Sequence, residues 1–178
     1  QLLIDALKVH GVDLVFGVPG ESYLDALDAF YDAREQIKFV ICRQEGGVSN
    51  MAEAYGKLTG RPGIAFVTRG PGATNASIGL HTAFQDSTPL ILFIGQVSTE
   101  VTEREAFQEL DYRRIFGQMA KWVAQIDRPE RVPEMVSHAF HLAVSGRPGP
   151  VVLALPEDMQ SATATVADTA RYQRVAAH

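Results

Sequence analysis

Short apolar runs alternate with longer stretches in which apolar residues recur every three or four positions. That rhythm predicts a parallel sheet whose strands are joined by crossover helices. Leu2, Leu3, Ile4, Leu7 and Val9 predict an opening helix that stops near Gly11, and residues 14–18 predict a first strand. Tyr23, Leu24, Leu27 and Phe30 return at helical spacing, with Glu21 and Ser22 suited to the helix start. A second strand is predicted at 39–41. The stripe Val48, Met51, Ala52, Tyr55 and Leu58 then predicts a helix that Gly60 closes. Further strands are expected at 64–67, 90–94, 122–123 and 151–155, with helices from about Ala73 to Phe84 and from Pro129 to Ser145. The expected architecture is α/β: three αβα layers around a central, mostly parallel six-stranded sheet. Residues 96–109 are polar and show no period, and a loop of that length inside a compact domain is usually functional or mobile.

Composition narrows the class. The 178 residues suit one domain, with 46% hydrophobic and 21% charged residues. The net charge of −5 and the lack of a basic stripe argue against nucleic acid as a partner. No apolar run approaches the roughly 20 residues of a membrane span. Residues 1–5 carry neither the basic start nor the cleavage site of a signal peptide, and no initiator Met opens the sequence, as expected of part of a longer chain. Cys42, the single cysteine, fits a reducing cytoplasm and reads as a buried structural thiol in its apolar run. Beyond Asp158 the chain turns Ala/Thr-rich. One domain is therefore expected over 1–160, with 161–178 as a linker or tail.

In open α/β sheets, ligands bind outside the carboxyl ends of the strands. Three such ends carry unusual sequence: Gly17-Val18-Pro19-Gly20-Glu21, Arg43-Gln44-Glu45-Gly46-Gly47 and Thr68-Arg69-Gly70-Pro71-Gly72-Ala73-Thr74-Asn75. They should gather on one edge, joined by the loop from Gln96 onward. Neither a dinucleotide glycine motif nor a P-loop lysine is present. No metal-ligand spacing appears; His138 and His141 share a helix face without a third ligand and are expected in solvent. Glu45 is the most informative acid. Its position alone favours a carboxylate resting on its helix dipole, worth about 0.3–1 kcal/mol.

Taken in order, these segments resemble a known family. The string Phe16-Gly17-Val18-Pro19-Gly20, then Arg43-Gln44-Glu45-Gly46-Gly47 with Met51-Ala52-Glu53-Ala54-Tyr55-Gly56, is similar to the start of thiamine diphosphate enzymes. Gly70-Pro71-Gly72-Ala73-Thr74-Asn75, Asp86-Ser87-Thr88-Pro89, Gly95-Gln96-Val97 and Ala106-Phe107-Gln108-Glu109 resemble the acetolactate synthase group. So do Gly146-Arg147-Pro148-Gly149-Pro150-Val151 and Leu155-Pro156-Glu157-Asp158. The likeness covers about residues 1–160.

The resemblance implies a pyrimidine-binding domain in the thiamine diphosphate-binding fold. Glu45 would sit beside ring nitrogen N1′, share a proton with it and so promote loss of the proton at thiazolium C2. Pro19, Gly20, Pro71, Gly72 and Asn75 match positions lining the pyrimidine pocket, where turn chemistry alone would also use such residues. Gln108 would hydrogen-bond a substrate carbonyl and Phe107 would wall the pocket, although Phe107 could equally be ordinary packing. The substrate class implied is a 2-keto acid or related acyl donor. The family's Gly-Asp-Gly signature, which holds the diphosphate and Mg²⁺, is absent here and would lie in a separate C-terminal domain, so this chain alone is expected to be inactive. FAD would belong to a central domain. Small residues Ala73, Ala76, Ser77, Gly79 and Ala83 match a region at a dimer interface, which implies a homodimer or homotetramer with a shared cofactor site. The adjacent histidine pair of the decarboxylases is missing, which favours synthase or carboligase chemistry. Arg69 replaces a small residue and leaves a different acidic or acyl substrate open. Two other readings stand beside this one: a natural small subunit of a two-chain 2-keto acid decarboxylase, and a non-catalytic flavodoxin-like binding module.

Overall fold

The computed structural model describes residues 1–167. In chain order it runs α1 (Leu2–Val9), β1 (Leu14–Gly17), a 3₁₀ turn at Glu21–Tyr23, α2 (Leu24–Asp32), β2 (Lys38–Ile41) and α3 (Glu45–Thr59). There follow β3 (Gly63–Val67), α4 (Pro71–Asn75), α5 (Ser77–Asp86), β4 (Leu90–Gln96), α6 (Tyr112–Phe116), β5 (Trp122–Gln125), α7 (Val132–Val144), β6 (Pro150–Pro156) and α8 (Glu157–Ser161). The six strands lie in the order β2-β1-β3-β4-β6-β5, and all five pairings are parallel.

Alternation along the inner strands builds the three layers. Ile64 and Phe66 of β3 face one core with Leu7, Phe30, Val136 and Phe140, which belong to α1, α2 and α7. Ala65 and Val67 face the other core with Val48, Ala52, Leu80 and Phe116, from α3, α5 and α6. Such strands are covered on both faces, so β3, β4 and β6 are buried throughout, as a parallel sheet requires.

The elements depart from the periodicity in three places. The helix expected from Ala73 starts at Pro71 and breaks at Ala76, between Asn75 and Ser77, where no proline marks the break. Pro71 occupies the first turn, where its missing N–H costs nothing. The α3 stripe is only half core: Val48 and Ala52 are fully buried, but Met51 and Leu58 are exposed. Cys42 is half-buried, with its thiol near Met51 Sδ and the Val40 carbonyl. After α8, Ala162, Thr163 and Ala164 run on without a helix or strand and line a groove with Leu2, Ala26 and Ala29. Residues 168–178 of the expected tail lie outside the described residues.

Candidate functional site

The strand order fixes where a ligand can lie. The chain leaves β1 towards β2 on one side and leaves β3 towards β4 on the other, so a crevice opens between the carboxyl ends of β1 and β3. The Gly17–Gly20 and Thr68–Asn75 turns are the two lips of this switch point. They touch: a Cβ placed on Gly20 would lie 2.4 Å from Thr68 Cβ. Ser22 and Thr68 share a 2.8 Å hydrogen bond across the crevice.

Glu45 enters from α3. Gln44 is the N-cap, its side-chain oxygen accepting from the Gly47 N–H at 3.2 Å, and Glu45 is the first helical residue. The carboxylate therefore stands at the positive end of a 15-residue helix. It is half-buried, and Asn75 Nδ2 donates to its Oε2 at 3.0 Å. Its Oε1 looks at Gly72, where a Cβ would come within 3.3 Å of it and 2.7 Å of Thr68 Cγ2. Gly72 thus keeps a side chain away from the carboxylate, while Gly20 lets its turn lie against Thr68. Tyr23 stands behind the site, and burial, with the Glu45 charge added, pushes its phenol well above the usual range.

The third wall is the loop between β4 and α6. Gly70 has φ +61, a region for glycine, and a Cβ there would sit 2.7 Å from Gln108 Cβ. Gln108 itself is held at φ +64. Phe107 is 73% exposed, so within this chain it is not core packing. The Gly70 N–H donates to the Tyr112 hydroxyl at 3.1 Å, and burial pushes that phenol up to about 12.

Glu45, Asn75, Gly72 and Gly20 therefore come together, with Gln108 across Gly70 from them. Pro19 and Pro71 lie exposed on the rims. Ser22, Thr68 and Tyr112 were not singled out by sequence, because isolated hydroxyl residues read as ordinary turn or helix-start chemistry. Arg69 is not a free cation: its guanidinium pairs with Glu157 and donates to the Phe107 carbonyl. The Met51–Gly56 motif is architectural. A Cβ on Gly56 would strike the Pro89 carbonyl at 2.3 Å, and Glu53 accepts from Thr88 at 3.0 Å and pairs with Lys57. The small residues of α4 and α5 serve packing within the chain, since a Cβ on Gly79 would lie 2.4 Å from Ser49 backbone. His138 and His141 are exposed, and no cluster of metal-ligating side chains occurs among the described residues. Nor is any helix among them long and apolar enough to cross a membrane.

Fold and site together define a doubly wound α/β domain with a helix-borne carboxylate beside glycine backbone at its switch point. The family model described as "Thiamine pyrophosphate enzyme, N-terminal TPP binding domain" matches residues 1–115, and the chain belongs to that family. It is 42% identical over 162 residues to the acetolactate synthase of Arthrospira platensis, covering 90% of this chain and 28% of the relative. The acetolactate synthase large subunit of Lactococcus lactis is 41% identical over 165 residues, or 93% of this chain and 28% of that protein. The mitochondrial acetolactate synthase catalytic subunit of Saccharomyces cerevisiae is 39% identical over 162 residues, 91% and 23% respectively. The chain thus spans under a third of the length of these relatives.

The residues present fit the cofactor. A Cβ on Gly72 would come within 3.3 Å of Glu45 Oε1, so beside that oxygen the chain offers glycine backbone alone. Among the described residues the Glu45 carboxylate accepts one side-chain hydrogen bond, from Asn75 to Oε2.

Proposed function

We propose that this domain holds the aminopyrimidine ring of thiamine diphosphate in a longer enzyme that acts on 2-keto acids or related acyl donors, as acetolactate synthases do. The single observation that carries the reading is Glu45, fixed by Asn75 beside the Gly72 gap at the switch point. When bound, the cofactor supplies a carbon nucleophile for a carbonyl carbon.

In this reading Glu45 keeps a proton at the ring nitrogen it faces and so sets the basicity of the ring's exocyclic nitrogen. Asn75 orients the carboxylate. Gly20 and Gly72 admit the ring, with Pro19 and Pro71 as the rims of the slot. Gln108 donates its amide to a substrate oxygen, and Phe107 excludes water from the reacting side. Mg²⁺ and the diphosphate would be held by a C-terminal domain, FAD by a central one, and residues from 161 on would lead towards them.

A homodimer or homotetramer with shared sites is part of the proposal. Ile78 is 59% exposed, and its Cγ2 lies 3.2 Å from the Cβ position of Gly46, next to Glu45. An apolar side chain beside a half-buried carboxylate suits cover by a second chain. The reducing setting read from the single cysteine suits the cytoplasm.

The test is Glu45→Gln in the full-length protein, with Mg²⁺ and thiamine diphosphate added. Glutamine keeps a hydrogen bond but cannot hold the proton, so hydrogen–deuterium exchange at C2, followed by NMR, should slow by roughly two orders of magnitude or more. Exchange at the wild-type rate would refute the assignment. A panel of 2-keto acids then reads the donor.

A further inference from the structure

We propose that Arg69 is a positioning residue: its guanidinium fixes the Phe107–Gln108 segment over the crevice by tying it to Glu157 at the head of α8. This rests on the reading that Phe107 and Gln108 face the substrate.

The Arg69 side chain is only 12% exposed and is satisfied in two directions. Its Nε donates to the Phe107 carbonyl at 2.9 Å, while Nη1 meets the Glu157 carboxylate. Its backbone N–H donates to Ser22 Oγ at 3.2 Å, so the base of the side chain is anchored to the far lip of the crevice. The partners lie 38 and 88 positions away in sequence, and one residue therefore joins three separate segments. Lysine has one point charge and no fixed fork, so it cannot serve both partners with the same geometry.

The segment needs such a tie. Gln108 sits at φ +64, a backbone state that persists only where its surroundings hold it. Gly70 presses on Gln108 from one side, and the Glu109 carboxylate accepts from the Glu103 and Ala106 N–H groups at 2.7 and 3.2 Å on the other. The loop's start is held by α8 as well, through the Thr99 N–H to Asp158 at 3.0 Å. Glu157 and Asp158 therefore grip both ends of the loop, Asp158 directly and Glu157 through Arg69. A consequence is that the Arg69 charge is already offset by Glu157 before any substrate arrives.

The experiment is hydrogen–deuterium exchange with mass spectrometry on the full-length protein without cofactor, comparing wild type with Arg69→Met, Arg69→Lys and Glu157→Gln. Peptides over residues 99–110 should exchange about tenfold faster in Arg69→Met, the loss of one charge-assisted bond, with the sheet peptides unchanged. Arg69→Lys should resemble Met, and Glu157→Gln, a milder change near the surface, should show the same direction. Steady-state kinetics should then show a lower kcat for the keto acid with the cofactor Kd unaltered. Unchanged exchange at 99–110 in Arg69→Met and Glu157→Gln overturns the proposal, as does wild-type protection in Arg69→Lys. The exchange arm needs no cofactor, so its failure is separate from failure of the thiamine diphosphate assignment.

Discussion

Asn75 Nδ2 reaches Glu45 Oε2 over 3.0 Å, joining the last residue of α4 to the first residue of α3. The two side chains come from turns after different strands, so the hydrogen bond sets the carboxylate plane as well as its place. Asn75→Ala removes the orienting donor and leaves Glu45 in position to rotate. We expect C2 exchange to slow about tenfold, the equivalent of one hydrogen bond to a charged group, and less than in Glu45→Gln. Asn75→Asp should be worse than Ala, since two ionised carboxylates at that separation repel. Equal rates in all three proteins would show that the contact orients nothing.

Glycines at the site and in the core should separate function from folding. A Cβ on Gly72 meets the Thr68 methyl at 2.7 Å and Glu45 Oε1 at 3.3 Å, and both are ends of side chains that can shift. A Cβ on Gly63 meets the Ala52 carbonyl oxygen at 1.9 Å, and backbone on two packed elements has nowhere to go. Gly63→Ala should therefore cost about 2–4 kcal/mol in urea denaturation. Gly72→Ala should melt within a few degrees of wild type yet weaken cofactor binding in the full-length protein by an order of magnitude or so, since it fills the gap beside Glu45. A Gly72→Ala protein with normal affinity would remove that gap from the site.

Much of this was readable from residue order. The strands announce themselves as short apolar runs, and Glu45 stands out because it comes soon after one and precedes Gly46-Gly47. Other features leave no local trace. Five residues at Tyr112–Phe116 make barely one turn of α6, too few for a helical period to show. The break at Ala76 falls among residues that all tolerate a helix. Arg69 left a different acidic or acyl substrate open, because its partners Phe107 and Glu157 are distant in sequence and only the fold brings them to it. The small residues Ala73, Ala76, Ser77, Gly79 and Ala83 announce a close helix approach, but not that α3 is the helix that comes near, with Ser49 backbone 2.4 Å from the Cβ position of Gly79. Periodicity finds elements; it does not say which neighbour covers which face.

His10 should make stability depend on pH. It caps α1, stacks on Phe140 of α7 at 4.2 Å with rings nearly parallel, and burial lowers its imidazole from 6.5 to about 4. The folded chain therefore keeps His10 neutral where the unfolded chain takes up a proton. Its contribution is complete above pH 6.5 and is lost as pH falls from there towards 4. Discounted for partial exposure, the loss between pH 7.5 and pH 5 is about 1 kcal/mol. His10→Phe keeps a stacked ring without the titration. Urea denaturation at the two pH values should show the wild type losing about that much more than the variant. Equal losses would mean that His10 titrates at its ordinary value.

Phe107 gives the sharpest division between packing and binding. Its ring is 73% exposed although its carbonyl is tied to Arg69, so the chain fixes the backbone and leaves the side chain to something else. Left in solvent at the mouth of the crevice, the ring is available to a bound molecule. Phe107→Ala should change the stability of this domain by less than about 0.5 kcal/mol, as surface substitutions do. In the full-length protein the same change should alter the preference among 2-keto acids of different side-chain size, because one wall of the proposed pocket retreats. Removing a ring of contact from one side of a small apolar site shifts the ratio of kcat/KM values by about 10–200-fold at most. A large loss of domain stability with unaltered preference would return Phe107 to the core and take the substrate wall away from this loop.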